Sequence, residues 1–188
     1  MNRIFEAALD IQSACLSRGW KFCIIGAVAV QRWGEPRLTR DVDLTVLSGF
    51  GSEAEYVDAL LVSYRPRIDD AREFALRYRV VLIRTAAGVP IDVALGAMPF
   101  EERAVARASP FAVGENQSIL TCSAEDLVVY KAFAGRDQDW LDIEGVIARQ
   151  GPGLDTALVL AEAGPLLELK EAPAALERLR RLLGEGKD

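Results

Sequence analysis

The sequence predicts an α+β protein, with strands and helices mixed through its first two thirds and a helical C-terminal subdomain after them. Three patterns carry that expectation. Ile4, Ala8, Ile11 and Cys15 form the apolar stripe of an amphipathic helix over residues 3–18. RDVDLTVL, residues 40–47, alternates polar and apolar side chains with the period of two that marks a strand. From Ser123 onward the spacing is helical, interrupted at Gly135, at GPG 151–153, and near Pro165 and Pro173. The expected division is a core of residues 1–122 and a helical subdomain of 123–188.

The elements follow in order. Gly19 ends the first helix, and KFCII (21–25) is a short apolar run of buried-strand type. Gly26 precedes AVAVQRW (27–33), a helix that Gly34 and Pro36 close. After the strand at 40–47 and an SGFGS turn, residues 52–64 read as a helix with Ser52 as N-cap and Glu55 at the capping-box position. Asp69–Leu76 is a further short helix. RYRVVLIRT (77–85) and VPIDVAL (89–95) are strands joined by a turn at 86–88, with Arg77 and Arg79 on one face of the first. FEERAVARA (100–108) is helical and SILTC (118–122) is a strand. Ser123 caps a helix reaching Ala134, with Asp126 three residues on. Residues 137–150 resume a helix. Two short helices around Pro165 and Pro173 follow, with Leu176, Leu179 and Leu183 as a stripe.

Composition narrows the chemistry. The chain has no histidine, which excludes Ser-His-Asp and Cys-His catalysis and every histidine-ligated metal site. Its net charge of −6 disfavours non-specific binding to long nucleic acid. Cys15, Cys23 and Cys122 are odd in number, widely spaced and without a CxxC, as expected of thiols in a reducing compartment. The first twenty residues lack the apolar stretch of a signal peptide, and no apolar run approaches the length of a membrane span. The expected location is the cytoplasm, with no membrane partner.

The residues that carry chemistry are Gly26, Asp41, Asp43 and Asp92. Positions i and i+2 of a strand point to one side, so Asp41 and Asp43 sit close enough to repel unless a cation lies between them. A hard divalent ion such as Mg²⁺ takes oxygen ligands and suits such a pair. Asp92 lies in a second apolar strand; if the two strands are neighbours, it joins the pair, and three carboxylates can hold two metal ions about 3.5–4 Å apart. Gly26 ends a strand and opens a helix, a place where backbone N–H groups meet phosphate. A 13-residue gap separates Gly26-Ala27 from the Asp-x-Asp run. Lys131 and Arg136 are the cations available to offset a triphosphate. Arg65, Arg67, Arg72, Arg77, Arg79 and Arg84 are dense for an acidic chain; they read as partners of Asp69, Asp70 and Glu73, or as a patch for an RNA acceptor.

IIGAVAVQRWGEPRLTRDVDLTV (24–46) resembles the signature of the nucleotidyltransferase superfamily of the DNA polymerase β type. That signature is an apolar strand, Gly-Gly or Gly-Ser, a spacer, Asp-x-Asp and a third Asp on a later strand. Arg37-Leu38-Thr39-Arg40-Asp41-Val42-Asp43 and YKAFAGRDQDWLDI (130–143) are similar to runs in the AbiEii-like enzymes of type IV toxin–antitoxin systems. The resemblance spans about residues 20–145 and departs at Ala27, where Gly or Ser is usual. It implies a mixed sheet flanked by helices with a C-terminal helical bundle. It also implies Mg²⁺ on Asp41, Asp43 and Asp92, and an NTP (ATP among them) held by Gly26, Ala27, Arg40, Lys131 and Arg136. The acceptor is then a tRNA, a protein or a small molecule, and an antitoxin is a partner to expect. The alternative is a non-catalytic nucleotide-binding or antitoxin-type protein on the same fold.

Overall fold

The computed structural model describes residues 2–184. Its elements are α1 (Arg3–Ser17), β1 (Phe22–Ile25), α2 (Gly26–Trp33), β2 (Val42–Leu47), α3 (Glu53–Ser63), β3 (Arg65–Pro66), α4 (Ala71–Tyr78), β4 (Val80–Arg84), β5 (Pro90–Gly96), α5 (Pro99–Ala106), β6 (Ser109–Gly114), β7 (Gln117–Thr121), α6 (Ala124–Ala134), α7 (Asp137–Gln150), α8 (Thr156–Leu169) and α9 (Pro173–Leu182). The architecture is α+β with a mixed sheet flanked by helices. Two compact units are present: the chain up to Val28 with Leu38–Cys122, and Ala29–Arg37 with the chain from Ser123 onward.

The first unit holds one sheet of order β3-β4-β5-β2-β1-β7-β6 among the described residues. β2 is central, parallel to β5 and antiparallel to β1. Its alternation fixes its register. Val42, Leu44 and Val46 are fully buried, packing in a core with Ile4, Ala8 and Ile11 of α1, Val57 and Leu60 of α3, and Ala75 of α4. Each such burial contributes roughly 1.5–3 kcal/mol. A slip of one residue would turn Asp43 into this core, so the pleat itself holds it on the opposite face. That face is partly covered by α5, whose Glu101 carboxylate accepts from the backbone N–H groups of Ala97 and Met98 and abuts Gly96. Cys15, Cys23 and Cys122 are buried and form no disulfide among the described residues. No described helix is long and apolar enough to cross a membrane.

In the second unit α6 packs on α7, α8 and α9 through Leu127, Ala132, Ile143, Val159, Leu167 and Leu179, all nearly or fully buried. Ser123 caps α6 as expected, accepting from Asp126 N at 3.1 Å. Gly135, at φ +73°, gives α6 its left-handed C-cap. Arg149 and Gln150 at the end of α7 donate to the carbonyls of Gly34 and Trp33, tying down the segment after α2.

Four local expectations need correction. Ser52 forms no side-chain cap; Glu55 N instead donates to the Ser52 carbonyl in a backbone turn, so the capping box is absent. The strand expected from residue 77 begins at Val80, because Arg77 completes α4 and Arg79 adopts a left-handed conformation at φ 57°. The Arg79 side chain justifies that backbone by bonding Glu53 and the carbonyls of Gly49 and Leu95. Arg77 and Arg79 therefore share no strand face. Pro165 lies inside one continuous α8 rather than between helices. Gly164 before it has no Cβ to meet the proline ring, and exposed Ala161 leaves its undonated carbonyl to water. β6 and β3 are additional strands. β6 forms a hairpin with β7, bulged between Ala112 and Gly114.

Candidate active site

The sheet brings Asp41, Asp43 and Asp92 to one face at one end. Asp43 and Asp92 are register partners in the parallel β2–β5 pair, so their side chains leave the sheet side by side. Asp41 precedes β2 by one residue and lies near enough to Asp92 to repel its charge. The Thr39 hydroxyl donates to Asp41 Oδ1 at 2.8 Å and orients that carboxylate.

On the other side of Asp43, β1 delivers Gly26. Ile25 pairs with Asp43 across the antiparallel ladder, and Gly26 turns at φ +62° into α2. A Cβ on Gly26 would fall 2.7 Å from Asp43 Cγ. Only glycine permits both the turn and this approach. Ala27 is 5% exposed, so its methyl packs into the protein rather than lining the site. Arg40 is exposed in the loop entering β2.

Asp92 has a partner that the sequence did not reveal. Arg67 Nη2 lies 2.6 Å from Asp92 Oδ1, yet no donor meets that buried oxygen at a hydrogen-bonding angle among the described residues. Burial pushes the Asp92 carboxyl above its ordinary range; Arg67 pulls it down and Asp41 pushes it further up. The fold thus favours protonated Asp92. That contributes stability below the ordinary carboxylate pKa of about 4, and it is lost as pH rises through the raised value. Asp92→Asn is accordingly expected to raise the melting temperature at pH 7, with the gain shrinking toward pH 4. Thermal unfolding across that range checks it, and a lower melting temperature at pH 7 would reverse the assignment.

The donors fit a hard divalent cation. All are carboxylate oxygens, one of them buried without a hydrogen bond, and the Asp43 carboxylate packs directly against Gly26. Among the described residues no three acidic or thiol side chains close into a chelate, and Arg67 stands on Asp92.

The second unit carries a separate charge cluster. Lys131 Nζ bonds Asp139 Oδ1 at 2.9 Å and pairs with Asp142 Oδ2 at 2.7 Å, all three residues 5% exposed or less. Arg37 donates twice to Asp142, and Arg136 donates to Asp139 from its backbone N–H and its guanidinium. Burial pushes both aspartates up, but these hydrogen bonds and charges outweigh it and hold them below the ordinary range. The Arg136 side chain is 77% exposed. Within this unit Arg37 and Asp142 thus pair. Lys131→Met removes the cation shared by two buried carboxylates, which keep only Arg136 on Asp139 and Arg37 on Asp142, and is expected to cost about 1–3 kcal/mol. A urea titration measures this; a loss below 1 kcal/mol, on the order of a surface pair, would show that the pairing is not structural.

Three of the six arginines form ion pairs with acids other than those expected: Arg67 with Asp92, Arg72 with Asp58 and Arg79 with Glu53. Glu73 acts on Arg72 through its charge alone. The sequence reading named Thr39 only within the resembling run and Arg67 only within the arginine set, and placed neither beside the acids. Thr39 carried a signal, a hydroxyl two residues before an acid. Arg67 carried none, because β3 is two residues long.

No protein-family model matches the chain, and no curated protein does. Solved structures with the same fold do exist. A crystal structure of an antigenic nucleotidyltransferase-like protein from Paracoccidioides brasiliensis is similar with a TM-score of 0.52 and 15% identity, over 92% of this chain and 91% of that one. The solution structure of the antibiotic-resistance factor ANT(2'')-Ia is similar with a TM-score of 0.52 and 15% identity, over 95% of this chain and 96% of that one. The fold is therefore nucleotidyltransferase-like.

Proposed function

We propose that the protein is a Mg²⁺-dependent nucleotidyltransferase. The observation that supports this most is the side-by-side register of Asp43 and Asp92 beside the Gly26 turn. The acceptor oxygen attacks the α-phosphorus of an NTP. A new O–P bond forms, the bond to the bridging oxygen breaks, pyrophosphate leaves, and Asp92 takes the acceptor's proton. Mg²⁺, held by Asp41, Asp43 and Asp92, supplies charge neutralisation for the triphosphate and the departing pyrophosphate. Gly26 lets the backbone N–H groups of the turn approach phosphate, with Ala27 contributing its N–H alone. Thr39 positions Asp41.

Lys131 and Arg136 enter from the sequence resemblance. Arg136 is the exposed cation of its cluster, whereas Lys131 already answers two carboxylates. A tRNA or protein acceptor, a toxin role and an antitoxin partner rest on the same resemblance, through 37–43 and 130–143. The test is calorimetry of ATP and the other NTPs with and without Mg²⁺. Metal-dependent binding that Asp41→Asn weakens at least about tenfold is expected. Equal binding by the variant and the parent protein would remove the acids from the site.

A further inference from the structure

The face that carries the acids continues across β4 to the edge strand β3, and there it is basic. Asp92 is level with Leu82, so Arg84, two residues on, shares its face. Arg65 pairs directly with Arg84. Arg67, two residues past Arg65, follows on the same face and reaches Asp92. Two rows result. The inner row runs Arg67, Leu82, Asp92, Asp43, Ile25; the outer row runs Arg65, Arg84, Pro90 and ends beside Asp41.

Two features of this edge call for a ligand. The side chains of Arg65 and Arg84 are exposed, stand on opposed residues of the β3–β4 ladder and have no hydrogen bond or ion pair with any described residue. Like charges directly opposed across a ladder destabilise it. They do so here in a chain of net charge −6, where acids to pair with are plentiful. Their placement is also directional. Gly26 flanks the acids on the β1 side, and Arg65 and Arg84 flank them on the β4–β3 side, on the order of 10 Å from Asp92 by strand spacing. In-line displacement at phosphorus requires the incoming and leaving oxygens on opposite sides.

We infer that Arg65 and Arg84 bind a phosphate group on the acceptor, with Arg67 between that phosphate and Asp92. The inference rests on the proposed nucleotidyl transfer for the word acceptor; the anion site itself does not. Net negative charge selects a short ligand, a phosphate monoester or the terminal phosphate of an RNA, over a long polyanion. Paired guanidinium groups suit such phosphates. Charge on an edge strand also deters edge-to-edge association, which is the competing explanation for these arginines.

The test titrates the full chain, at low salt, with inorganic phosphate, with a 5′-phosphorylated dinucleotide and with its 5′-hydroxyl form, following the arginine Nε–H resonances. Arg65 and Arg84 are expected to shift. Arg65→Gln/Arg84→Gln is expected to lose about tenfold or more in affinity without a fall in melting temperature, because repulsion is removed. Binding of inorganic phosphate and of the phosphorylated dinucleotide marks a monoester ligand. Equal binding of both dinucleotides would mean that the terminal phosphate is not what is bound and would overturn the assignment to a monoester. Shifts confined to other arginines, or a double variant that self-associates but keeps its phosphate affinity, would overturn it. Asp43→Asn separates the two readings: it is expected to lose Mg²⁺-dependent NTP binding and to keep the edge's phosphate affinity. If NTP binding is absent while phosphate still shifts Arg65 and Arg84, the anion site stands and the transferase reading falls.

Discussion

Asp43→Asn is expected to lower nucleotidyl transfer by about a thousandfold while leaving the melting temperature unchanged or raised. Asparagine keeps the shape that fits against Gly26, so the turn into α2 is undisturbed. What goes is a negative charge placed in register with Asp92 and two residues from Asp41. Three carboxylates on one face repel one another, and removing one relieves the fold at the expense of the site. The signature is the split between the two readouts, single-turnover rate and thermal unfolding. A variant that transfers at a rate near that of the parent protein takes Asp43 out of the mechanism. A variant that loses both rate and stability makes Asp43 a structural residue.

Gly26→Ala is the second large effect, and it strikes both properties together. A left-handed backbone at φ +62° costs an L-residue about 1–2 kcal/mol. In addition the new Cβ lies 2.7 Å from Asp43 Cγ and 2.8 Å from its Cβ, so the carboxylate must leave its place. Transfer is expected to fall about as far as in Asp43→Asn, and stability to drop by roughly 2–4 kcal/mol once overpacking is added to the backbone strain. A double-mutant cycle apportions the two terms. In an Asp43→Gly background the clash is gone, so Gly26→Ala retains only its backbone strain. An undiminished cost in that background would mean that Gly26 and Asp43 are not in contact.

Much of this arrangement could be read from the chain because it depends on local periodicity. The two-residue pleat of β2 forces Asp43 to the side away from Val42, Leu44 and Val46, and the apolar run around Asp92 announced a second strand of the same kind. Gly26 stood between an apolar strand and a helix, where a positive φ is common. Lys131 was visible as a charge within an apolar helix, but its burial between Asp139 and Asp142 was not, since helical spacing does not say which face meets a neighbour. The Arg67–Asp92 contact and the Arg65–Arg84 pairing depend on strands brought together from distant parts of the sequence, and β3 is too short to show periodicity. Pro165 misled because the penalty for proline in a helix is set by its neighbours; Gly164 and an exposed Ala161 reduce it.

The measurement that bears most directly on the central claim is transfer itself. The purified protein is incubated with Mg²⁺ and each of the four NTPs radiolabelled at the α-phosphate, with cell RNA, cell protein and small phosphorylated metabolites as separate acceptors. Label is expected to be covalently transferred in a metal-dependent reaction and to be absent with Asp43→Asn. No transfer to any acceptor, together with NTP affinity indifferent to Mg²⁺ and to Asp43, would contradict that claim.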